Sequence, residues 1–133
     1  MQPDEGLIKE LEQATEGLTF MSESDYPFEI IRWTTPGEVT HEFLRRLTGQ
    51  PEDARIEVRT VDDFFRAAVA ESEWKEAQEL ATARKYQALV DLLKENLKEI
   101  KVYRVGEINI PVYIVGRSVN GNWIGLATRV VET

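Results

Sequence analysis

The most restrictive feature of the sequence is a pair of apolar segments near its C-terminal end, joined through Asn120-Gly121. The segments IPVYIVGR (110–117) and WIGLATRVV (123–131) are rich in the β-branched and aromatic residues that favour strands. Asn-Gly between two such segments is the strongest short-range signal for a β-hairpin. A further strand is predicted at IKVYRV (100–105), so the chain is expected to end in an antiparallel sheet.

The remainder of the chain alternates predicted helices with predicted strands. Helices are predicted at residues 4–16, at 41–49 after a Thr40 cap, after a cap at Thr60, and at 73–99 after a Ser72 cap. Strands are predicted at residues 28–33 and 55–60. The simplest packing of these elements is one domain over residues 1–133, a three-layer α/β/α sandwich around a mixed, largely antiparallel sheet.

The negative charge of the chain is concentrated in its first thirty residues. Residues 1–30 contain eight acidic residues and one lysine, so they carry seven of the eight net negative charges. Such a surface disfavours nucleic acid and anionic lipid, which bind basic faces. It favours a cationic protein partner, because opposite charges steer association. A solvated acidic helix that aids solubility is the alternative interpretation.

The absence of cysteine restricts the chemistry further. It excludes disulfides, thiol catalysis and zinc sites that need sulfur. The sequence shows neither a secretory signal nor an apolar run of about 20 residues, the length that crosses a membrane. We therefore expect a cytoplasmic protein with no membrane partner.

Signals for catalysis are weak. His41 is the only histidine, so no second histidine is present to complete a metal site. The glycines of VGEINIPVYIVG and NGNWIG do not follow the spacing of a phosphate-binding loop. Asp62-Asp63 is better explained by helix capping than by metal binding. The sequence therefore predicts a protein that is not an enzyme and that has no cofactor and no metal site of its own.

Three places in the sequence are candidate partner-binding sites. The first is an acidic tip within FMSESDYPFE (20–29), formed by Ser22, Glu23, Ser24 and Asp25. The second is Trp74, which lies among polar residues, although a tryptophan packed on the sheet edge fits the pattern equally well. The third is the C-terminal pair Glu132-Thr133, which directly follows an apolar strand, although chain ends usually fray.

In these stretches the chain resembles the bacterial nuclease A inhibitor family. The resemblance runs nearly end to end and rests on EGLTFMSESDYPFEI, VTHEFLRRLTG, VDDFF, the tryptophan of SEW, VYRVGEINIPVYIVG and the terminal VVET. FMSESDYPFE together with a terminal VVET is a specific combination, since neither stretch is a general fold pattern.

The resemblance implies both a fold and a function. The family consists of small acidic inhibitors of a sugar-non-specific, metal-dependent DNA/RNA endonuclease, with an α/β/α sandwich similar to the plant PR-1 proteins. It implies a one-to-one complex of a monomeric inhibitor with the nuclease. In that complex Glu23 and Thr133 are expected to reach the catalytic centre of the nuclease and its Mg²⁺, and Trp74 is expected to contribute to the interface.

A stiffly held carboxylate suits such a target for physical reasons. A nuclease that cleaves any sequence reads the phosphate backbone, so its cleft is expected to be cationic and to hold a hard metal. Mg²⁺ prefers oxygen ligands, so the Glu23 carboxylate can imitate a phosphate oxygen and Thr133 can add a second contact. Neither contact presents a bond to hydrolyse, and inhibition would follow from occupancy.

Two other classes of function are compatible with the sequence. A small ligand-binding or regulatory domain on the same scaffold is the main alternative, because fold does not fix function. It would require a deep apolar pocket with converging polar groups. An enzyme that uses His41 is the third hypothesis.

Overall fold

The computed structural model describes residues 2–21, 25–34, 37–51, 53–71 and 76–132, without the side chains of Met21 and Asp25. The described helices are α1 (Asp4–Thr15), α2 (His41–Thr48), α3 (Val61–Phe64), α4 (Arg66–Val69) and α5 (Ala77–Asn96). The described strands are β1 (Thr19–Met21), β2 (Asp25–Pro27), β3 (Glu29–Trp33), β4 (Ile56–Arg59), β5 (Lys98–Val105), β6 (Asn109–Arg117) and β7 (Trp123–Val131).

Five of these strands form one sheet in the order β3-β7-β6-β5-β4. All four pairings in this sheet are antiparallel, so the expectation of a mixed sheet is wrong for the described residues. For two of the pairings the physical reason lies in the connections: β5, β6 and β7 follow one another through short turns, which can join only antiparallel neighbours. The predicted C-terminal antiparallel sheet is confirmed.

The turn between β6 and β7 confirms the hairpin predicted from Asn120-Gly121. The amide of Gly121 donates to the carbonyl of Ser118 at 3.0 Å, and the amide of Ser118 donates to the carbonyl of Asn122 at 2.8 Å. Gly121 has a φ of 84°, whereas Asn120 is not among the described residues with positive φ. This is the pattern of a type I turn followed by a left-handed glycine, which needs positive φ at one residue only.

The two faces of the sheet pack against different helices. Neighbouring residues of a strand point to opposite faces, and β5 shows this directly. Val102 belongs to a cluster with leucines of α1 and α5, whereas Tyr103 belongs to a second cluster with Leu44 of α2. Leu7 of α1 and Leu89 of α5 are fully buried in the first cluster. Burying each of these side chains contributes roughly 2 kcal/mol to folding.

The start of α1 is fixed to the β6–β7 turn by side-chain hydrogen bonds. The amide of Asp4 donates to Oδ1 of Asn120 at 3.1 Å, and Nδ2 of Asn122 donates to Oδ2 of Asp4 at 2.7 Å. The Arg32 guanidinium also lies 3.7 Å from the Asp4 carboxylate. These contacts join the N-terminal helix to the C-terminal hairpin, so the acidic segment is held on the sheet from its first turn.

The predicted helix caps hold at α2 and α3. Thr40 Oγ1 accepts a hydrogen bond from the amide of Phe43, and α2 ends at Gly49 with a φ of 68°. Thr60 Oγ1 accepts a hydrogen bond from the amide of Asp63 at 3.1 Å. The cap of α3 is therefore the threonine, as the sequence indicates.

The predicted bounds of the long helix are wrong at both ends. The helix α5 begins at Ala77, after a capping box in which Glu76 and Glu79 each accept from the other's backbone amide. Ser72, the predicted cap, lies outside the described residues. The helix ends at Asn96, and β5 begins two residues later at Lys98.

Gly125 lies at a close approach of two strands in the sheet. It lies in β7 and pairs with Ile31 on one side and Val115 on the other. A Cβ at this position would lie 1.7 Å from the carbonyl oxygen of Ile114. Only glycine allows β6 and β7 to approach as they do.

We expect Gly125→Ala to lower the free energy of unfolding by about 3 kcal/mol or more, because its Cβ cannot fit unless β6 moves away from β7. Urea denaturation followed by circular dichroism measures the change. Gly6→Ala is the control, since its Cβ would meet only the flexible end of Gln2 and alanine favours a helix by about 1 kcal/mol. Parental stability of Gly125→Ala would contradict the close approach.

Candidate functional site

The residues on both sides of the acidic tip form a β-hairpin that the sequence analysis does not predict. The strands β1 and β2 are antiparallel, with Thr19 opposite Pro27 and Met21 opposite Asp25. Residues 22–24, which connect them, lie outside the described residues. Because Met21 and Asp25 are paired, the chain on both sides of the tip is held in register.

The first strand of this hairpin is anchored in the main core. The Phe20 ring stacks on Phe64 with centroids 4.5 Å apart, and it meets Phe65 and Phe28 edge-on at 6.0 and 6.3 Å. Aromatic pairs in these geometries add about 0.5–1.5 kcal/mol each beyond burial. The hydroxyl of Tyr86 in α5 also donates a hydrogen bond to the backbone carbonyl that precedes Phe20. The helix thus ties β1 to the body of the protein.

The second strand is anchored to β7. The hydroxyl of Thr128 lies 3.0 Å from the carbonyl oxygen of Pro27 and 3.4 Å from that of Tyr26. Both strands of the hairpin contact β7. The two strands that flank residues 22–24 are therefore both attached to the body of the protein.

The C-terminal end of the chain is held by its own set of contacts. The amide of Glu132 donates to the carbonyl of Ile108 at 3.0 Å, which extends the β6–β7 pairing one residue beyond Val131. The Glu132 carboxylate forms an ion pair with Arg104. The last described residue is therefore ordered, where an unrestrained chain end would fray.

Arg104 belongs to a small charged network at the sheet surface. Its Nη1 lies 3.3 Å from Oε2 of Glu57 on the neighbouring strand. The side-chain hydrogen bond from Arg59 is the main cause that lowers the pKa of Glu57 below its ordinary value of 4.5. The charges of Arg59, Arg104 and Arg55 act in the same direction, while burial of the carboxyl opposes them. Glu57 is thus held as a carboxylate between guanidinium groups.

The structure places only part of the predicted site. The backbone of Asp25 begins β2, and Glu132 is described in full. The remaining predicted partner-binding residues lie outside the described residues: Ser22, Glu23, Ser24, Trp74 and Thr133. The hairpin that flanks residues 22–24 contacts β7, the strand that leads into Glu132.

Of the alternative chemical candidates, Asp62 and Asp63 have structural roles and His41 lies at the surface. His41 is exposed at the first position of α2. Asp62 pairs with Nζ of Lys94 at 2.9 Å, and Asp63 pairs with Arg66 at 2.9 Å. These ion pairs, together with the cap at Thr60, explain the two aspartates without a metal.

Within the described ranges, no three histidine or acidic side chains are grouped so that they could hold a metal ion. No helix among those residues has both the length and the apolar character that a membrane crossing requires.

A cavity of about 560 Å³ lies between the turn after α1 and the helices α4 and α5. Its apolar lining includes Phe20, Phe64 and Tyr86. Polar groups on its wall serve the fold: the Tyr86 hydroxyl binds a β1 carbonyl, and Glu76 and Glu79 cap α5. The volume is in the range of ligand pockets, but these polar groups converge on the protein's own backbone.

Sequence reasoning did not identify Arg104. The strand IKVYRV was recognised from its apolar character, and Arg104 shares the strand face of Val102, two residues before it. A charged residue on a core-facing position needs a partner of opposite sign. The core-facing position of Arg104 is the signal in the sequence that it needs an acidic partner, although it does not reveal that the partner is Glu132.

The pKa of Glu57 predicts how stability depends on pH. Because this pKa is lowered on folding, the ion pairs stabilise the protein fully above the unfolded value, and this contribution disappears as the pH falls through the folded-state pKa. We expect Glu57→Gln to be less stable than the parent at about pH 7, and the difference to shrink toward about pH 3. Denaturant titrations across this range test the expectation. A difference independent of pH would contradict it.

Comparison with known proteins adds one finding to this geometry. Comparison with curated proteins gives no match. A model of the nuclease A inhibitor-like protein family matches residues 5–133, which includes the hairpin, the charged network and the C-terminal end. Because this match covers nearly the whole chain, the protein belongs to the nuclease A inhibitor-like family.

Proposed function

We propose that the protein inhibits a sugar-non-specific, metal-dependent endonuclease by occupying its active site in a one-to-one complex. Membership of the nuclease A inhibitor-like family supports an inhibitor role. The observation that carries the mechanism is the anchored β1–β2 hairpin, whose two strands flank residues 22–24, with Glu23 in the middle. Glu23 and Thr133 are the proposed contacts to the catalytic centre and its Mg²⁺, with Ser22, Ser24, Asp25, Trp74 and Glu132 as further interface residues.

Anchoring of the hairpin lowers the entropic cost of binding. Each side chain or loop that becomes ordered at an interface reduces affinity, so a support that is rigid before binding preserves it. Here Phe20 is packed in the core and Pro27 is hydrogen-bonded to Thr128. Of this hairpin, only the short connection between Met21 and Asp25 then has to fit the cleft of the nuclease.

The charge distribution supports the same partner. Residues 1–30 carry seven of the eight net negative charges, and Glu10, Glu12 and Glu16 are exposed on or just after α1. A cleft that binds the phosphate backbone is positively charged. The acidic segment would therefore accelerate the encounter without needing to contact the catalytic centre.

The finer features of the fold are part of the proposal. Two hydrophobic clusters, one joined to α1 and α5 and the other to α2, support a three-layer α/β/α arrangement similar to the PR-1 proteins. We further propose that the free protein is a monomer and acts in the cytoplasm, without a cofactor.

The cavity beside Phe20 and Tyr86 favours a second candidate function. A small ligand bound there would make this a regulatory or ligand-binding domain on the same scaffold. The local use of three of its polar residues argues against this candidate, because Tyr86, Glu76 and Glu79 bind the protein's own backbone. A thermal-shift screen with small apolar ligands separates the two functions, since a pure inhibitor would show no ligand-dependent stabilisation.

We expect Glu23→Ala, and separately the removal of Thr133, to weaken inhibition at least about tenfold, because each removes an oxygen contact buried in the complex. The measurement is the inhibition constant against a Mg²⁺-dependent non-specific endonuclease from the same source, assayed on plasmid DNA. Glu95→Ala is the matched control. It removes an exposed glutamate near the end of α5, next to Asn96, which contacts Gln2 rather than the hairpin.

Extension of the chain by a tag after Thr133 should also impair inhibition, whereas the same tag before Met1 should not. If Glu23→Ala and the truncated chain both inhibit like the parent, the two residues do not occupy the catalytic centre.

The association rate should depend on salt and on the acidic segment. An increase in ionic strength from about 0.1 M to about 1 M shortens the Debye length from about 10 Å to about 3 Å. We expect the association rate constant to fall about tenfold or more over this range, with a smaller change in dissociation. Stopped-flow binding measures both.

Neutralisation at Glu10 and Glu12 tests whether the segment itself is responsible. The double variant Glu10→Gln/Glu12→Gln should associate more slowly and depend less on salt. Its control, Glu38→Gln/Glu42→Gln, removes the same charge at and before α2, which packs against the other hydrophobic cluster. Equal effects of the two double variants would show that net charge alone matters.

A further inference from the structure

Arg104 is a nearly buried charge on a strand of the central sheet. Only 6% of its side chain is exposed, and it lies on the same face of β5 as the core residue Val102. A guanidinium in such a place is costly unless opposite charges and hydrogen bonds compensate it. The role of Arg104 is therefore inferred from the groups that compensate its charge.

Those partners come from two distant parts of the chain. Nη1 of Arg104 lies 3.3 Å from Oε2 of Glu57, its neighbour in register on the edge strand β4. Nη2 binds Oε1 of Glu132, just beyond the end of β7. The strand β6 lies between β5 and β7 in the sheet. One guanidinium thus links the sheet edge to the C-terminal end, across an intervening strand.

Glu132 is restrained twice. Its backbone amide bonds to the carbonyl of Ile108 at 3.0 Å, and its carboxylate is bound by Arg104. The Glu132 side chain is nevertheless 55% exposed, so one part of it faces solvent while its oxygen is held. With its backbone amide and its carboxylate both bound, the Glu132 side chain has a fixed direction. The hydrophobic core does not need this restraint.

We propose that Arg104 is a positioning residue that holds Glu132, and with it the terminus of the chain, in the orientation required for partner binding. This inference rests on the proposed function. Because Arg104 is nearly buried, it acts through Glu132 and does not touch the partner itself. The restraint would reduce the conformational freedom lost when the terminus enters the nuclease cleft.

Arginine is suited to this task and lysine is not. The planar guanidinium presents separate N–H groups to Glu57 and Glu132, whereas an ammonium is a single compact charge. Arg104→Lys therefore retains the charge but should lose the bridge. Arg59 offers a matched comparison, because its guanidinium binds Glu57 while no contact joins it to Glu132 among the described ion pairs.

The test compares Arg104→Gln, Arg104→Lys and Glu132→Gln with the control Arg59→Gln. Glu132→Gln breaks the same contact from its exposed side, so it remains informative if Arg104→Gln does not fold. The first readout is ¹⁵N relaxation and amide hydrogen exchange at Glu132 and Thr133 in the free protein. The second is the inhibition constant against the Mg²⁺-dependent endonuclease on plasmid DNA.

We expect hydrogen exchange at the backbone amide of residue 132 to accelerate about tenfold or more in each of the three test variants. Inhibition of the nuclease should weaken about tenfold in each. The double variant Arg104→Gln/Glu132→Gln should be no worse than either single variant, because both act on one contact. Arg59→Gln should leave exchange at Glu132 and inhibition at parental values.

Two results would overturn the proposal. One is a Glu132 amide that stays protected in the test variants, and the other is a released terminus with unchanged inhibition. If the parent chain inhibits no nuclease, the proposed function is wrong. In that case the terminus is not positioned for nuclease binding either. The hydrogen-exchange data would still decide whether Arg104 holds Glu132.

Discussion

The close pairing of β6 with β7 is the interaction on which the rest of the structure depends. Gly125 allows the two backbones to approach, and β7 pairs on its other side with β3. Each described element that we propose for partner binding is attached to this strand. Thr128 holds the β1–β2 hairpin, the turn before β7 holds the start of α1, and Glu132 follows its end. A change that separated β6 from β7 would therefore disturb the fold and the candidate site together.

Sequence reasoning was most successful where the signal is local. The strands β6 and β7 have long apolar runs around Asn120-Gly121, and α2 has a threonine cap at one end and a glycine at the other. These features involve residues close in sequence, so propensity and turn chemistry determine them. The acidic tip is also a contiguous set of residues, and its role in partner binding stays a prediction. The family followed from the same contiguous stretches and is confirmed by the match over residues 5–133.

Features that depend on distant contacts were not predictable. The strands β1 and β2 have three residues each, which is too short to show an alternating pattern. They are stabilised by Tyr86 and Thr128, which lie 67 and 101 residues from the carbonyls they bind at Thr19 and Pro27. The bridge from Arg104 to Glu132 spans 28 residues in the same way. The start of α5 was misplaced because two glutamates, rather than a serine, provide its described cap.

The charged network on β4 has a consequence apart from the proposed partner binding. This strand is one open edge of the sheet, and an unpaired edge can recruit a strand from another molecule and begin aggregation. The edge has only four residues, and Glu57 and Arg59 project from it while Val58 is partly exposed between them. A second chain that docked there would have to desolvate these ion-paired groups, so the charges on β4 disfavour extension of the sheet by another molecule.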